Sequence, residues 1–403
     1  MHLNLSHPDV RANPYPTYAY LREHAPVTSI HRAVVGRTWY LSRYEDVMAA
    51  LRDPRLVNDR RSVGDGHGDP WWLPKALNAF RNSMITTDDP GHRRLRSLVQ
   101  IAFTPRMVES LRPQVEAVVA AQLDVLAANA RAGKADLIAD FALPVPLSII
   151  STMMGVRPGK DAAFHGMTNR FLELADRGIA GLFLGARNTM RMVRFFREVI
   201  ADHRREARDD LVTALLDAEA DGERLSEDEV LSMIFLLLLA GHETTVNLIG
   251  NGVLALLDNP EALADLRGDP SIIDTAVEEL LRYANPVEQT TPRYAKEALE
   301  IRGQRIERGE VIIPLVAAAN RDPEAFDDAD TLDLRRSPNR HVAFGLGVHY
   351  CLGAPLARME GRIAIRALLD RFRDIRLKIP RDRVQWRSTT VVRGLRSLPL
   401  TLA

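Results

Sequence analysis

Apolar positions recur along most of this chain at helical spacing. From about residue 107 to 225 they fall at three- and four-residue intervals among charged ones, and Pro113 to Ala132 reads as one long amphipathic helix. Residues 165–205 repeat the pattern, with Phe171, Leu172, Leu182, Phe183, Leu184, Met192, Phe195 and Phe196 set among arginines. One helix is marked at both ends. Ser226 with Glu229 three residues on is a capping box, and Asn259-Pro260 is a stop, which predicts a helix running to Asp258. That is about 32 residues, or ~48 Å. The apolar run Met233 to Ala240 in its middle is expected to bury it on all sides. Gly241-His242-Glu243-Thr244-Thr245 follows, where glycine and two β-branched threonines are expected to loosen the helical ladder.

Alternating patterns are few. His31 to Tyr44 reads as a hairpin turning at Gly36-Arg37, and Leu299 to Leu315 as strands around Gly303 and Gly309. Val391-Val392 to Leu400 reads as a terminal hairpin. Residues 60–82, with Gly64-Asp65-Gly66-His67-Gly68-Asp69-Pro70 and Trp71-Trp72, read as a long loop suited to a lid or a binding role.

Composition narrows the function classes. The 403 residues carry 53 basic and 53 acidic side chains, with no basic run interleaved with aromatics, so no nucleic-acid partner is expected. The N-terminus has no apolar stretch, and the longest apolar run is far below the ~20 residues of a bilayer span. The expectation is a cytoplasmic protein with no membrane anchor.

The chemistry centres on Phe344 to Gly353, Phe-Gly-Leu-Gly-Val-His-Tyr-Cys-Leu-Gly, which holds Cys351, the single cysteine. A lone cysteine forms no internal disulfide and no site that needs several thiolates. It acts as a nucleophile or as one axial ligand. Gly345, Gly347 and Gly353 allow unusual dihedrals and close approach of backbone to a flat ligand. Ala354 to Glu360 reads as the start of a helix, whose dipole favours a thiolate. His349 is placed to hydrogen-bond an anionic ligand edge.

The Phe-x-x-Gly-x-His-x-Cys-x-Gly segment resembles the haem-binding loop of the cytochrome P450 superfamily, in its bacterial members. The resemblance spans about residues 8–400. It implies a mainly α protein with a minor β region, a single cytochrome P450 domain over 1–403. Its β-rich part is expected at about 27–60 and 293–318, with the C-terminal hairpin at 386–402. Haem b is expected between the long helix and the cysteine loop, with Cys351 as iron ligand and Phe344 beneath it.

Further segments gain meaning from that likeness. His92 and Arg96 lie four apart on one helix face and are implied to hold a haem propionate, with Arg293 on the second. Ala240-Gly241-His242-Glu243-Thr244 resembles the family's oxygen-activation motif. Glu243 and Thr244 then form the acid–alcohol pair that delivers protons, with Ala240 against the haem and the role of His242 open. Glu279-x-x-Arg282 is implied to be completed by Arg336, with Arg335 as the lesser alternative, in a network that locks the segment behind the haem. Leu236, Ala240, Val287, Gln289, Thr290 and Val391 are implied to line the substrate pocket.

The implied activity is O2-dependent hydroxylation or epoxidation of a hydrophobic small molecule, with macrolide or polyketide, terpenoid, steroid and fatty-acid classes all open. No dinucleotide-binding unit is apparent, so electrons are expected from a separate ferredoxin or flavodoxin with its NAD(P)H reductase. That donor is expected to dock near Arg93, Arg94 and Arg358, on a monomer. A haem-thiolate gas or ligand sensor without turnover, a peroxide-driven peroxygenase and a haem-free cysteine nucleophile are the alternatives.

Overall fold

The structure, a computed structural model, describes the chain except residues 1–4, 6, 33–35, 65–82, 158–159, 161–162, 165, 169, 171–177, 221 and 388, and except the side chains at 32, 178–184 and 186. The aromatic loop expected at 60–82 lies almost wholly outside the described residues, as do Phe171, Leu172 and the side chains of Leu182, Phe183 and Leu184. The architecture is mainly helical with a small β part. It gathers into two compact units, one of Met1–His67, Val119–Leu143 and Thr244–Ala403, the other of Gly68–Val118 and Pro144–Glu243.

The first unit carries a five-stranded sheet. Val27–Arg32 and Gly36–Leu41 pair antiparallel, with Arg32 opposite Gly36. Gly36 and Arg37 therefore belong to the second strand rather than to a turn, and residues 33–35 lie outside the described residues. Gly36–Leu41 pairs parallel with Val311–Pro314, Thr38 opposite Val311. Arg293–Ala295 and then Leu56–Val57 complete the sheet antiparallel. Its inner face joins Trp39, Leu41, Val47, Leu51, Ile312 and Val342 in one core.

The terminal hairpin takes a different form. Leu400–Leu402 pairs with Ile375–Leu377, and isolated bridges, Trp386 to Leu395, Val287 to Val392 and Asp136 to Pro399, tie the preceding segment. Helix Ala354–Arg371 packs on helix Ile273–Tyr283 and on the C-terminal half of the long helix. A Cβ at Gly361 would stand 2.8 Å from Leu248 Cδ2, so glycine is what permits this approach.

In the second unit, helices Gly91–Ala102 and Leu211–Asp217 pack together. Phe164, Phe195 and Phe235 each meet Phe196 edge to face, and Phe164 stacks on Phe195.

The long helix runs from Glu227 to Asp258. Its capping box forms: Ser226 N–H donates to Glu229 Oε2 (2.8 Å) and Glu229 N–H to Ser226 Oγ (3.3 Å). By length and composition it is apolar enough to cross a bilayer, yet 61% of its most apolar window is buried in protein.

Candidate active site

Cys351 stands half-buried just before helix Ala354–Arg371. Its N–H donates to the Phe344 carbonyl (3.0 Å), closing the loop on itself. Gly347 has φ +74° and lies against Leu51; a Cβ there would come within 2.9 Å of the Leu51 carbonyl oxygen. His349 Nε2 is 3.0 Å from Asn58 Nδ2. The positive end of that helix's dipole lies on the side of the thiol and favours negative charge there.

Phe344 is held from the helix side. The Arg358 guanidinium lies 4.4 Å from its ring centroid. Glu278 grips Arg358 through both oxygens, at 2.6 and 2.8 Å, and takes His341 Nε2 at 3.1 Å. Burial pushes the Glu278 carboxyl up, but the hydrogen bonds and charge of Arg358 and His341 prevail and bring it down to about 2. Arg358 is thus committed to Glu278 rather than offered to a partner. Arg94 is likewise committed, to Glu223 and Glu229. Arg93 pairs with Asp89 at 2.8 Å and remains largely exposed.

Behind this loop lies an acid network. Glu279 and Arg282 are fully buried and meet through two bonds of 2.7 Å. Arg336 Nε donates to Glu279 Oε1 (3.2 Å). Asn339 Nδ2 and the Asp333 N–H, neither expected, each donate at 3.0 Å. Arg282 also donates to the carbonyls of Asn320, Ala329 and Thr331. A helix hydrogen-bonded within itself thereby holds three turns of irregular chain.

The long helix stays α-helical through Ala240 to Thr245, without the loosening expected there. It is not buried on all sides either. Leu236 and Leu237 are half-buried, Ala240 and Gly241 exposed, and Glu243 and Thr244 half-buried, while His242 and Thr245 are buried. Positions 236, 237, 240, 241 and 244 share one face. A mostly apolar face of this otherwise buried helix is therefore less buried than the rest, and it ends on the acid–alcohol pair.

His92 (2% exposed) and half-buried Arg96 lie one turn apart on helix Gly91–Ala102. Burial pushes the His92 imidazole down, and Asp89 pulls it back up. In the first unit Arg293 is buried at the start of its strand. Val287 and Thr290 are half-buried, Gln289 is buried, and Val391 is exposed. Gln289 Nε2 donates to Thr390 Oγ1 (3.0 Å), so segments 287–290 and 390–391 meet.

These residues fit haem iron. Among the described residues no group of three or more His, Cys, Asp or Glu side chains could hold a metal. One thiol supplies one ligand, and an iron here brings the others in its own macrocycle. The less buried apolar face suits a flat apolar ring, and the buried Arg293 guanidinium and the His92 ring suit carboxylates as hydrogen-bond donors.

The comparisons agree. The family model for cytochrome P450 matches residues 31–390. Cytochrome P450 107B1 of Saccharopolyspora erythraea is 44% identical over 391 residues, 95% of this chain and 93% of that one. The 6-deoxyerythronolide B hydroxylase of the same organism is 39% identical, covering 96% of each. The structure of the bacillaene polyketide synthase cytochrome P450 PksS of Bacillus subtilis superposes with a TM-score of 0.93 at 39% identity over the full length of both chains. The chain belongs to the cytochrome P450 family. It is a monooxygenase, an oxidoreductase built around haem iron.

Proposed function

We propose that this chain carries haem b and hydroxylates or epoxidises a polyketide, in the manner of a macrolide-tailoring enzyme, using O2 and electrons from a separate ferredoxin or flavodoxin. The observation that carries the haem reading is the Cys351 loop: a lone half-buried thiol at a helix N-terminus, closed by the Phe344 carbonyl. The substrate class rests on whole-chain likeness to a polyketide-synthase P450 and to a 6-deoxyerythronolide B hydroxylase. A vitamin D(3) 25-hydroxylase (37% identical) and P450 structures holding a carrier-bound hexadecenoic acid or myristic acid (35% and 36%) are whole-chain relatives too, so the polyketide reading rests on the greater number of polyketide-tailoring relatives.

Haem iron with a thiolate ligand supplies oxygen activation and O–O cleavage. The chain's own residues do the rest. Cys351 Sγ would ligate the iron, and Phe344 would shield it from water. His92 and Arg96 hold one propionate, Arg293 the other, and His349 adds a donor at the same edge. Gly345 and Gly353 keep side chains off the ring, and Ala240 packs on it. The Glu243 carboxyl hands protons to Thr244 Oγ1, which holds them toward the reacting oxygen. Leu236, Val287, Gln289, Thr290 and Val391 orient the substrate, while the buried Glu279–Arg282–Arg336 network holds the loop behind the iron. The enzyme acts as a cytoplasmic monomer.

A visible-absorption titration of the ferric protein tests this reading. 6-Deoxyerythronolide B or a related macrolactone, free or tethered to an acyl carrier protein, is expected to shift the iron from low to high spin. Terpenoids, steroids and fatty acids are expected to do so less. A Cys351→Ala variant that kept the red-shifted carbon monoxide band would overturn the ligand assignment.

A further inference from the structure

Glu288 lies between two residues of the proposed pocket wall, Val287 and Gln289, and is 1% exposed. A carboxylate so buried requires charge partners. It has two, from opposite ends of the chain. Arg11, on the helix Pro8–Ala12, donates from Nη1 to Glu288 Oε2. Arg393 Nη1 stands 3.5 Å from Glu288 Oε1. Both arginines are buried.

Each guanidinium also binds backbone. Arg11 Nη2 donates to the Val392 carbonyl (3.3 Å). Arg393 donates to the carbonyls of Arg11 (2.7 Å) and Ala12 (3.0 Å), and its guanidinium lies 3.6 Å from the Trp386 ring centroid. The Glu288 N–H donates to the Val391 carbonyl (2.9 Å) and the Arg393 N–H to the Pro286 carbonyl (2.8 Å). The Ala317 N–H donates to the Glu288 carbonyl (3.2 Å). Three segments, 8–12, 286–290 and 390–394, therefore meet at one carboxylate.

Two facts separate this cluster from ordinary stabilisation. First, segments 286–290 and 390–394 form no strand ladder: one isolated β-bridge, Val287 to Val392, and a few backbone bonds around it join them. A pairing that short specifies its register weakly, and Val287 and Val391 are not fully packed and so do not lock it themselves. Second, a buried ionic triad adds little net stability over apolar residues of the same volume, but guanidinium–carboxylate contacts are directional. What the triad contributes is geometry.

We propose that Glu288, clamped between Arg11 and Arg393, is a positioning residue for substrate selection. It sets segment 286–290 against segment 390–394, and so fixes where Val287, Gln289 and Val391 stand relative to one another. The inference rests on the proposed function, because those side chains select a substrate only if they line its pocket.

The test uses the haem-loaded protein, its Glu288→Gln variant, and a triple variant, Arg11→Met with Glu288→Leu and Arg393→Met, which replaces the ions by apolar residues. Two iron-binding probes are titrated: imidazole, too small to reach the wall, and econazole, which fills a P450 pocket. Both variants are expected to keep the red-shifted carbon monoxide band and the imidazole affinity. Both should bind econazole at least ~10-fold more weakly. Unchanged econazole affinity in the triple variant would overturn the proposal, as would loss of haem in both variants, which would make the triad a folding element. A parallel titration with 6-deoxyerythronolide B separates the two readings. If the wild type shows no shift, the substrate class fails while the azole ratio still judges the clamp. If it does, the variants should also change the ratio of products.

Discussion

Arg336, and not its neighbour Arg335, reaches the buried carboxylate of Glu279, with Nε 3.2 Å from Oε1. Arg335 points to the surface and pairs with Asp265 (2.8 Å) and Asp269 (2.9 Å) at half exposure. Adjacent arginines of one sequence thus hold opposite places.

The difference predicts opposite mutational outcomes. Removing one member of a buried ion network leaves an uncompensated charge, at a cost of about 3–5 kcal/mol. Arg336→Ala and Glu279→Gln are expected to lower the melting temperature steeply and to yield protein with little haem. Exposed pairs contribute about 0–1 kcal/mol, so Arg335→Ala should load haem normally. The ratio of Soret to protein absorbance measures this, and equal ratios for the two arginine variants would contradict it.

Glu278 predicts an acid-side loss of stability. Its folded carboxyl, at about 2, lies below the unfolded value near 4.5. Its contribution is therefore present above the unfolded value and is lost as pH falls through that window toward 2. The shift corresponds to something on the order of 2–3 kcal/mol at neutral pH. Glu278→Gln should melt well below the wild type at pH 7, and the gap should narrow by pH 3. A gap independent of pH would show that the carboxylate's charge is not what matters.

Glu360 works in the opposite sense. It sits on helix Ala354–Arg371 at 2% exposure, and burial pushes its carboxyl up to about 8. The fold keeps the proton that the unfolded chain releases, so stability is whole below about 4.5 and declines as pH rises to 8. Glu360→Gln is expected to leave stability unchanged at pH 4 and to raise it at pH 9, by on the order of 4 kcal/mol. Parallel melting curves across that range would refute the assignment.

The candidate site residues stand out in the sequence because each lies in a short stretch with a local reason for its composition. Glycines flank one cysteine, a capping box opens one long helix, and an acid sits beside an alcohol on it. Asn259-Pro260 stops that helix where expected. What was hidden depends on contacts distant in sequence. Arg11 and Glu288 are 277 residues apart, and no local pattern marks a pair so separated. Only the family resemblance favours Arg336 over Arg335, and the structure agrees, but which arginine faces inward is not marked by any local pattern. The final strand pairs with Ile375–Leu377, a register no turn signal announces. The less buried face of the long helix was missed because a continuous apolar run reads as burial, and a run cannot tell protein from an apolar ligand as its cover.

The acid–alcohol pair supports a last prediction. Glu243 and Thr244 are adjacent and half-buried where that face ends, while His242 between Gly241 and Glu243 is buried. General acid catalysis by a placed group is worth about 10²–10⁴-fold. Thr244→Val keeps volume and removes the hydroxyl; Glu243→Gln keeps shape and removes the titrating proton. Neither change alters the apolar face at Leu236 and Ala240, so substrate affinity from the spin-state titration should hold within about 3-fold, under 1 kcal/mol. Product formed per NAD(P)H consumed, with a surrogate ferredoxin and reductase, should fall by about 10² or more. His242→Gln serves as the comparison. If its loss matches that of Glu243→Gln, the proton route runs through the buried imidazole instead of the carboxyl. If coupling survives in Thr244→Val, the hydroxyl is not the last proton carrier.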